Sequence, residues 1–290
     1  MNEEPVDLGA ESVPNFRGEL GKDSAGSATG SVGDSFESAG MEAQESGFQG
    51  DAIRVNFGHR RLDMSFDSRA FAPTAFDAVI FDLGGVLLNL DVSRTVRAFQ
   101  AWVPGMSSEG FLGQREQLPF LNDFETGRID TETLMQRFEA HFFGRLSSKP
   151  SPGAQAMDRE RFCESWNAMA LDLPMARIGL IDHLRQSGKR VFLLSNINAI
   201  HEELVEERYQ ELGRAGRFDD CFDGLYYSHR IGLRKPDREV FERVIGEQGL
   251  VPSRTIFIDD TLQHVEGART VGLHAYHLRA PTTVLDLFHP

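Results

Sequence analysis

Short, unbroken apolar runs recur from Phe76 onward, and segments of helical period separate them. The first, FDAVIFDLGGVLLNL over residues 76–90, ends at an acid and a glycine pair, which predicts a buried strand followed by a tight loop. RVFLLSN (190–196), DGLYYS (223–228), RTIFIDD (254–260) and HAYHL (274–278) repeat the theme. Between them, Ile178, Ile181, Leu184 and Arg185 stand three and four apart in a segment that stops at Gly188, and Val240, Phe241, Val244 and Ile245 form a stripe ahead of Gly249. Each predicts a helix with a glycine stop, and Pro236 suits the first turn of the second. Residues 262–271 read as one more short helix. Strands alternating with helices predict an α/β fold in which a parallel sheet is covered on both faces and ligands sit beyond the carboxyl ends of the strands.

Residues 92–172 break the alternation. They read as helices over 92–102, 108–118, 130–142 and 158–169, with Gly127 ending one helix before Asp130 or Thr131 caps the next. A helical insertion directly after the first strand and loop lies over that strand's end, where it can act as a lid. No segment repeats, and the Asp-Leu-Gly-Gly loop occurs once.

Ahead of this region the pattern vanishes. Residues 1–50 hold ten acids against two bases, a net charge of −8, with many Gly and Ser and few large apolar side chains. Such a segment cannot bury enough surface to offset the entropy of ordering it, so residues 1–72 read as a disordered acidic tail and linker, with a protein as the tail's partner if it docks at all. Residues 73–290 then form the globular domain, its cap at about 92–172. The whole chain carries 44 acids and 30 bases, a formal charge of −14, which argues against a nucleic-acid face. Cys163 and Cys221 lack metal or redox spacing and read as buried, reduced thiols. No apolar run is long enough to span a bilayer and no secretory or transit signal opens the chain, so a cytoplasmic location is expected.

The chemistry-bearing residues stand at predicted strand ends. Asp82 is followed by Leu83-Gly84-Gly85, a loop small enough for a ligand to approach, and its carboxylate can serve as nucleophile or metal ligand. Ser195-Asn196 closes the second strand, where a hydroxyl, an amide and the next helix's N–H groups can hold phosphate oxygens. Lys235 can reach the same cleft. Asp259-Asp260 ends a further strand, and paired carboxylates repel unless a cation or basic group offsets them; Mg2+ is a hard ion of the kind that does so. Each feature alone is a common way to leave a strand or to decorate a surface. Their order is what discriminates.

VIFDLGGVL, FLLSN, GLRKPD and FIDDTLQHVEGA, taken together, make the chain resemble the haloacid dehalogenase (HAD) superfamily over residues 76–280. The resemblance implies a Rossmann-like core with an inserted helical cap, Mg2+ as cofactor, and a small phosphorylated substrate. Carried over, Asp82 is the nucleophile and a metal ligand, Gly84 binds the metal through its carbonyl, and Asp260 completes the protein ligands. Ser195, Asn196 and Lys235 bind the transferring phosphoryl group, and Asp259 orients Lys235 or a metal-bound water. The loop is similar to that of a subgroup that includes a bacterial glucose-1-phosphate phosphatase, which points to a sugar phosphate as one substrate class.

Two positions depart from the family pattern. Gly84 stands where the family's phosphatases carry a second Asp for proton transfer, and losing such a group typically costs about 10^2 to 10^4 in rate. Asp91, Asp123 and Glu125 are the nearby acids that can replace it. His264 stands where the family often has Asp or Asn near the metal. Arg115, Glu116, Phe120 and Phe124 are cleft candidates from the cap. The absence of Tyr at position 84 disfavours dehalogenation. Two readings stay open: a Mg2+-dependent phosphatase, and a weak or inert phosphate-ester-binding protein.

Overall fold

The computed structural model describes residues 75–103, 106, 118–144 and 157–288. The expected acidic tail and linker, most of the helix expected over 108–118, and the cleft candidates Arg115 and Glu116 lie outside them. Five strands, β1 (Ala78–Phe81), β2 (Arg190–Ser195), β3 (Gly224–Tyr227), β4 (Thr255–Asp259) and β5 (His274–His277), form one sheet in the order β3-β2-β1-β4-β5. Every pairing is parallel.

Alternation along each strand divides the core in two. Val79, Phe81, Val191, Leu193, Ile256 and Ile258 face one side, and Ala78, Ile80, Phe192, Leu194, Phe257 and Ala275 the other. Both sides are buried, which is why the strands read as continuous apolar runs. α5 (Met175–Gln186), α6 (Ala199–Glu211) and α10 (Val284–Phe288) cover the first side through Ile181, Val205 and Val284; α8 (Arg238–Gln248) and α9 (Leu262–Thr270) cover the second through Phe241 and Val265. α8 begins two residues beyond Pro236, so that proline precedes the helix instead of opening it.

α1 (Val92–Gln100), α2 (Pro119–Glu125), α3 (Thr131–Phe143) and α4 (Arg159–Asn167) lie between β1 and α5 and pack on their own apolar centre of Phe99, Phe124, Leu134, Phe138, Phe162 and Trp166. Phe120 and Phe124 belong to this centre and do not line the cleft; their spacing of four on α2 places both on the buried face. Asp130 caps α3, and Gly127, at φ +67°, turns the chain before it. The insertion leaves and rejoins the core through two paired segments: Asp91 N–H donates to Met169 O (2.8 Å), and Leu171 N–H to Asn89 O (2.9 Å).

Of the two thiols, Cys221 is buried but Cys163, on the flank of α4, is only half-buried, contrary to expectation. Among the described residues no helix is long and apolar enough to cross a membrane.

Candidate active site

The strand order reverses at β1, whose two neighbours β2 and β4 lie far apart in sequence, so a crevice opens at the carboxyl end of β1. Asp82 stands there. Its backbone N–H donates to Ile258 O at 2.9 Å, which extends the ladder by one residue and presents the side chain beside the end of β4. Asp82 Oδ1 accepts from the Leu83 N–H at 2.7 Å and from Lys235 Nζ at 2.7 Å, two donors that fix the carboxylate's orientation.

Lys235 is inaccessible to solvent, and its Nζ also lies 2.7 Å from Asp259 Oδ2. Asp259 is equally enclosed; its Oδ1 accepts from the Thr261 N–H at 2.7 Å, and His264 Nδ1 stands 3.0 and 3.1 Å from its two oxygens. Because a carboxylate only accepts, the His264 proton sits on Nδ1. Asn196 holds the lysine from behind: Lys235 N–H donates to Asn196 Oδ1 (2.9 Å), and Asn196 Nδ2 donates to Lys235 O (2.8 Å). The amide expected to bind phosphate is therefore engaged in positioning Lys235, a task that sequence position alone does not reveal.

Burial pushes the Asp82 carboxyl up to about 8, with Asp259 and Asp260 adding to the effect and Lys235 opposing it. Burial acts the same way on Asp259, but the attraction of Lys235 and the bonds to His264 outweigh it and hold that acid below the usual carboxylate range. Burial also disfavours the Lys235 charge, and the two carboxylates more than offset it. Burial lowers His264, although Asp259 favours its charged form.

One ammonium thus serves three acids, Asp82, Asp259 and Asp260, and the crevice is short of positive charge. Asp82, Asp259 and His264 place ligand atoms within 4.8 Å of one another, but Lys235 Nζ already bonds both acids, which makes that trio an ammonium site. The carboxylates of Asp82 and Asp260, close enough for each to raise the cost of charging the other, are oxygen donors of the kind a hard divalent cation takes. Gly85 brings Asp260 onto the loop: its φ is +72°, and a Cβ there would stand 2.1 Å from Asp260 Oδ2. An all-oxygen set with a charge deficit fits Mg2+.

Ser195 ends β2, almost fully buried, and lines a cavity of 180 Å³ together with Gly84 and Asn196. Of the acids expected to replace the missing carboxylate, Asp91 caps α1 and pairs with Arg97, and Asp123 pairs with Arg137 (2.8 Å) and Arg128 (3.6 Å). Only Glu125 lines the cavity, and it pairs with Arg234 at 3.2 Å. Two residues escaped the sequence reading. Gly85 was visible as the second glycine of its pair, but the closeness of Asp260 was not. Leu90 gave no signal, yet its Cδ1 would stand 2.5 Å from a Cβ at position 84. A side chain at position 84 would require the exposed tip of Leu90 to shift.

A sesquiterpene phosphatase, astK, of Aspergillus oryzae is 28% identical over 208 residues, 71% of this chain and 91% of its own length. D-ribitol-5-phosphate phosphatase of Bacteroides thetaiotaomicron is 24% identical over 200 residues, 68% of this chain and 89% of its own. A HAD family enzyme of Bacteroides thetaiotaomicron, solved in complex with magnesium and inorganic phosphate, superposes with a TM-score of 0.64 at 27% identity, over 74% of this chain and 100% of that one. Residues 76–272 match the model of the haloacid dehalogenase-like hydrolases, so the chain belongs to that family.

Proposed function

We propose that the protein is a Mg2+-dependent phosphatase of a small phosphorylated metabolite, acting through an aspartyl-phosphate on Asp82. The observation that carries this reading is the clamp at β1: a buried carboxylate fixed by the Leu83 N–H and Lys235 Nζ, at the switch point of a parallel sheet. Relatives that hydrolyse phosphate monoesters support it.

In this reading an oxygen of Asp82 attacks phosphorus as the ester P–O bond breaks, and water then hydrolyses the acyl phosphate, regenerating the carboxylate and releasing inorganic phosphate. Lys235 balances charge on the carboxylate and phosphoryl oxygens, and Ser195 donates to the phosphoryl group. Asn196 and Asp259 are positioning residues that act through Lys235, and His264 steadies Asp259. Mg2+, held by Asp82, Asp260 and the Gly84 carbonyl, supplies further neutralisation of charge on the transferring group. Position 84 carries no side chain to protonate the departing oxygen, which takes its proton from solvent. That missing carboxylate favours the second reading, a weak phosphate-ester binder.

Phosphate release from a panel of phosphorylated metabolites, with Mg2+ and with EDTA, separates the two. The phosphatase reading expects metal-dependent release that vanishes in Asp82→Asn, a loss of about 10^4-fold or more. Ligand binding without release across the panel would leave only the binder.

A further inference from the structure

We infer that the site takes the phosphate monoester of a hydrocarbon alcohol, alkyl or isoprenoid, in preference to that of a sugar; the inference rests on the phosphatase reading and narrows its substrate. The 180 Å³ cavity begins at Gly84 and Ser195, where the phosphoryl group binds in that reading, and extends away from it between loop, cap and core. Most of its walls are hydrocarbon: Leu88 and Leu90 from the loop, Val92 from α1, Trp166 and Met169 at the end of the cap, and Ile197 ahead of α6.

Most of the polar side chains along it have partners within the protein. Glu125 pairs with Arg234, and Asn196 is bonded to the Lys235 backbone in both directions. Asn198 Oδ1 accepts from the His201 N–H (3.1 Å) and its Nδ2 donates to His201 Nδ1 (3.2 Å), while His201 Nε2 donates to Trp166 O (3.1 Å). Reading a polyol requires converging donors and acceptors aimed at its hydroxyls, and burying hydroxyls without them is unfavourable. A hydrocarbon needs none.

Exposure points the same way. Leu90 and Val92, 38% and 42% exposed, are two of the few large apolar side chains left open to water in the described residues, and both line this cavity. A hydrocarbon chain leaving the phosphate would cover them. At the roughly 30 Å³ that a water molecule occupies in the liquid, the cavity holds about six such groups, the size of a short alkyl or prenyl unit.

The test is kcat/KM for ethyl, butyl, hexyl and octyl phosphate beside ribitol 5-phosphate, in Mg2+, with p-nitrophenyl phosphate as control. The expected result is a rise of about fourfold per methylene up to about six carbons, carried mainly by KM, with ribitol 5-phosphate below hexyl phosphate. Val92→Asp, at an exposed position at the start of α1, should flatten that rise. A flat series, or ribitol 5-phosphate preferred over hexyl phosphate, while p-nitrophenyl phosphate is hydrolysed, overturns this inference and leaves the phosphatase intact. If nothing is hydrolysed, the phosphatase reading fails, and calorimetry with ethyl- and hexylphosphonate decides the inference: tighter hexyl binding upholds it, equal binding overturns it.

Discussion

The two halves of the crevice are built on opposite terms. At the ends of β1 and β4, Asp82, Lys235, Asp259 and His264 form a chain of charged and polar groups in which Lys235 and Asp259 are wholly enclosed. Beside it, between Gly84 and α4, the wall is hydrocarbon, with Leu90 and Val92 open to water. The polar half derives its geometry from strand ends in a two-sided core, which tolerates little displacement. The apolar half comes from the loop and from an inserted element, and it leaves room for a ligand to complete the packing. In the proposed reading, chemistry belongs to the core and selection to the loop and insertion.

The largest expected effect breaks the polar half. In Lys235→Met two buried carboxylates face each other without their shared cation, which predicts a loss of roughly 3–5 kcal/mol, read from urea midpoints in EDTA. An unchanged midpoint would mean that Asp82 and Asp259 do not depend on the lysine.

His201 ties the cap to the core, since it bonds Trp166 O in the cap from its place on α6. Burial lowers its pKa to about 4, with the Trp166 bond opposing. A depressed folded pKa contributes stability that is present above the unfolded value near 6.5 and lost as pH falls toward 4, about 3 kcal/mol in all. His201→Gln should remove that part of the acid-linked decline in urea midpoint. A variant that declines as steeply as the unaltered protein would take His201 out of the account.

A third substitution exchanges the character of the two halves. Gly84→Asp requires the exposed Leu90 Cδ1 to swing aside, which lowers its gain; combined with Leu90→Ala it restores a carboxylate with space to stand. Hydrolysis of an alkyl phosphate should then rise by about 10^2-fold, the lower end of what a positioned acid contributes. Equal gains from the single and double variants would show that Leu90 does not occupy the acid's place.

Much of the polar half was legible in the sequence because parallel strands buried on both faces read as unbroken apolar runs, and Asp82, Ser195 and Asp259-Asp260 each close one. The helices α5, α8 and α9 announced themselves by period and stop. α6 was not delimited, because its buried Ile200, Leu204, Val205 and Tyr209 are spread among eight polar or charged residues, and α7 (Ser228–Ile231) is a single turn with no periodic signal. The hold of Asn196 on Lys235 and the closeness of Leu90 to position 84 were not legible for one reason: both are set by how the chain returns in three dimensions.

The central claim is that Asp82 attacks phosphorus, and the most direct measurement is acid quenching during turnover in Mg2+, followed by mass spectrometry of the peptide that carries Asp82. The account predicts a phosphoryl group on Asp82, absent in EDTA and in Asp82→Asn. Rapid phosphate release with no adduct on Asp82, or undiminished release by Asp82→Asn, would contradict it.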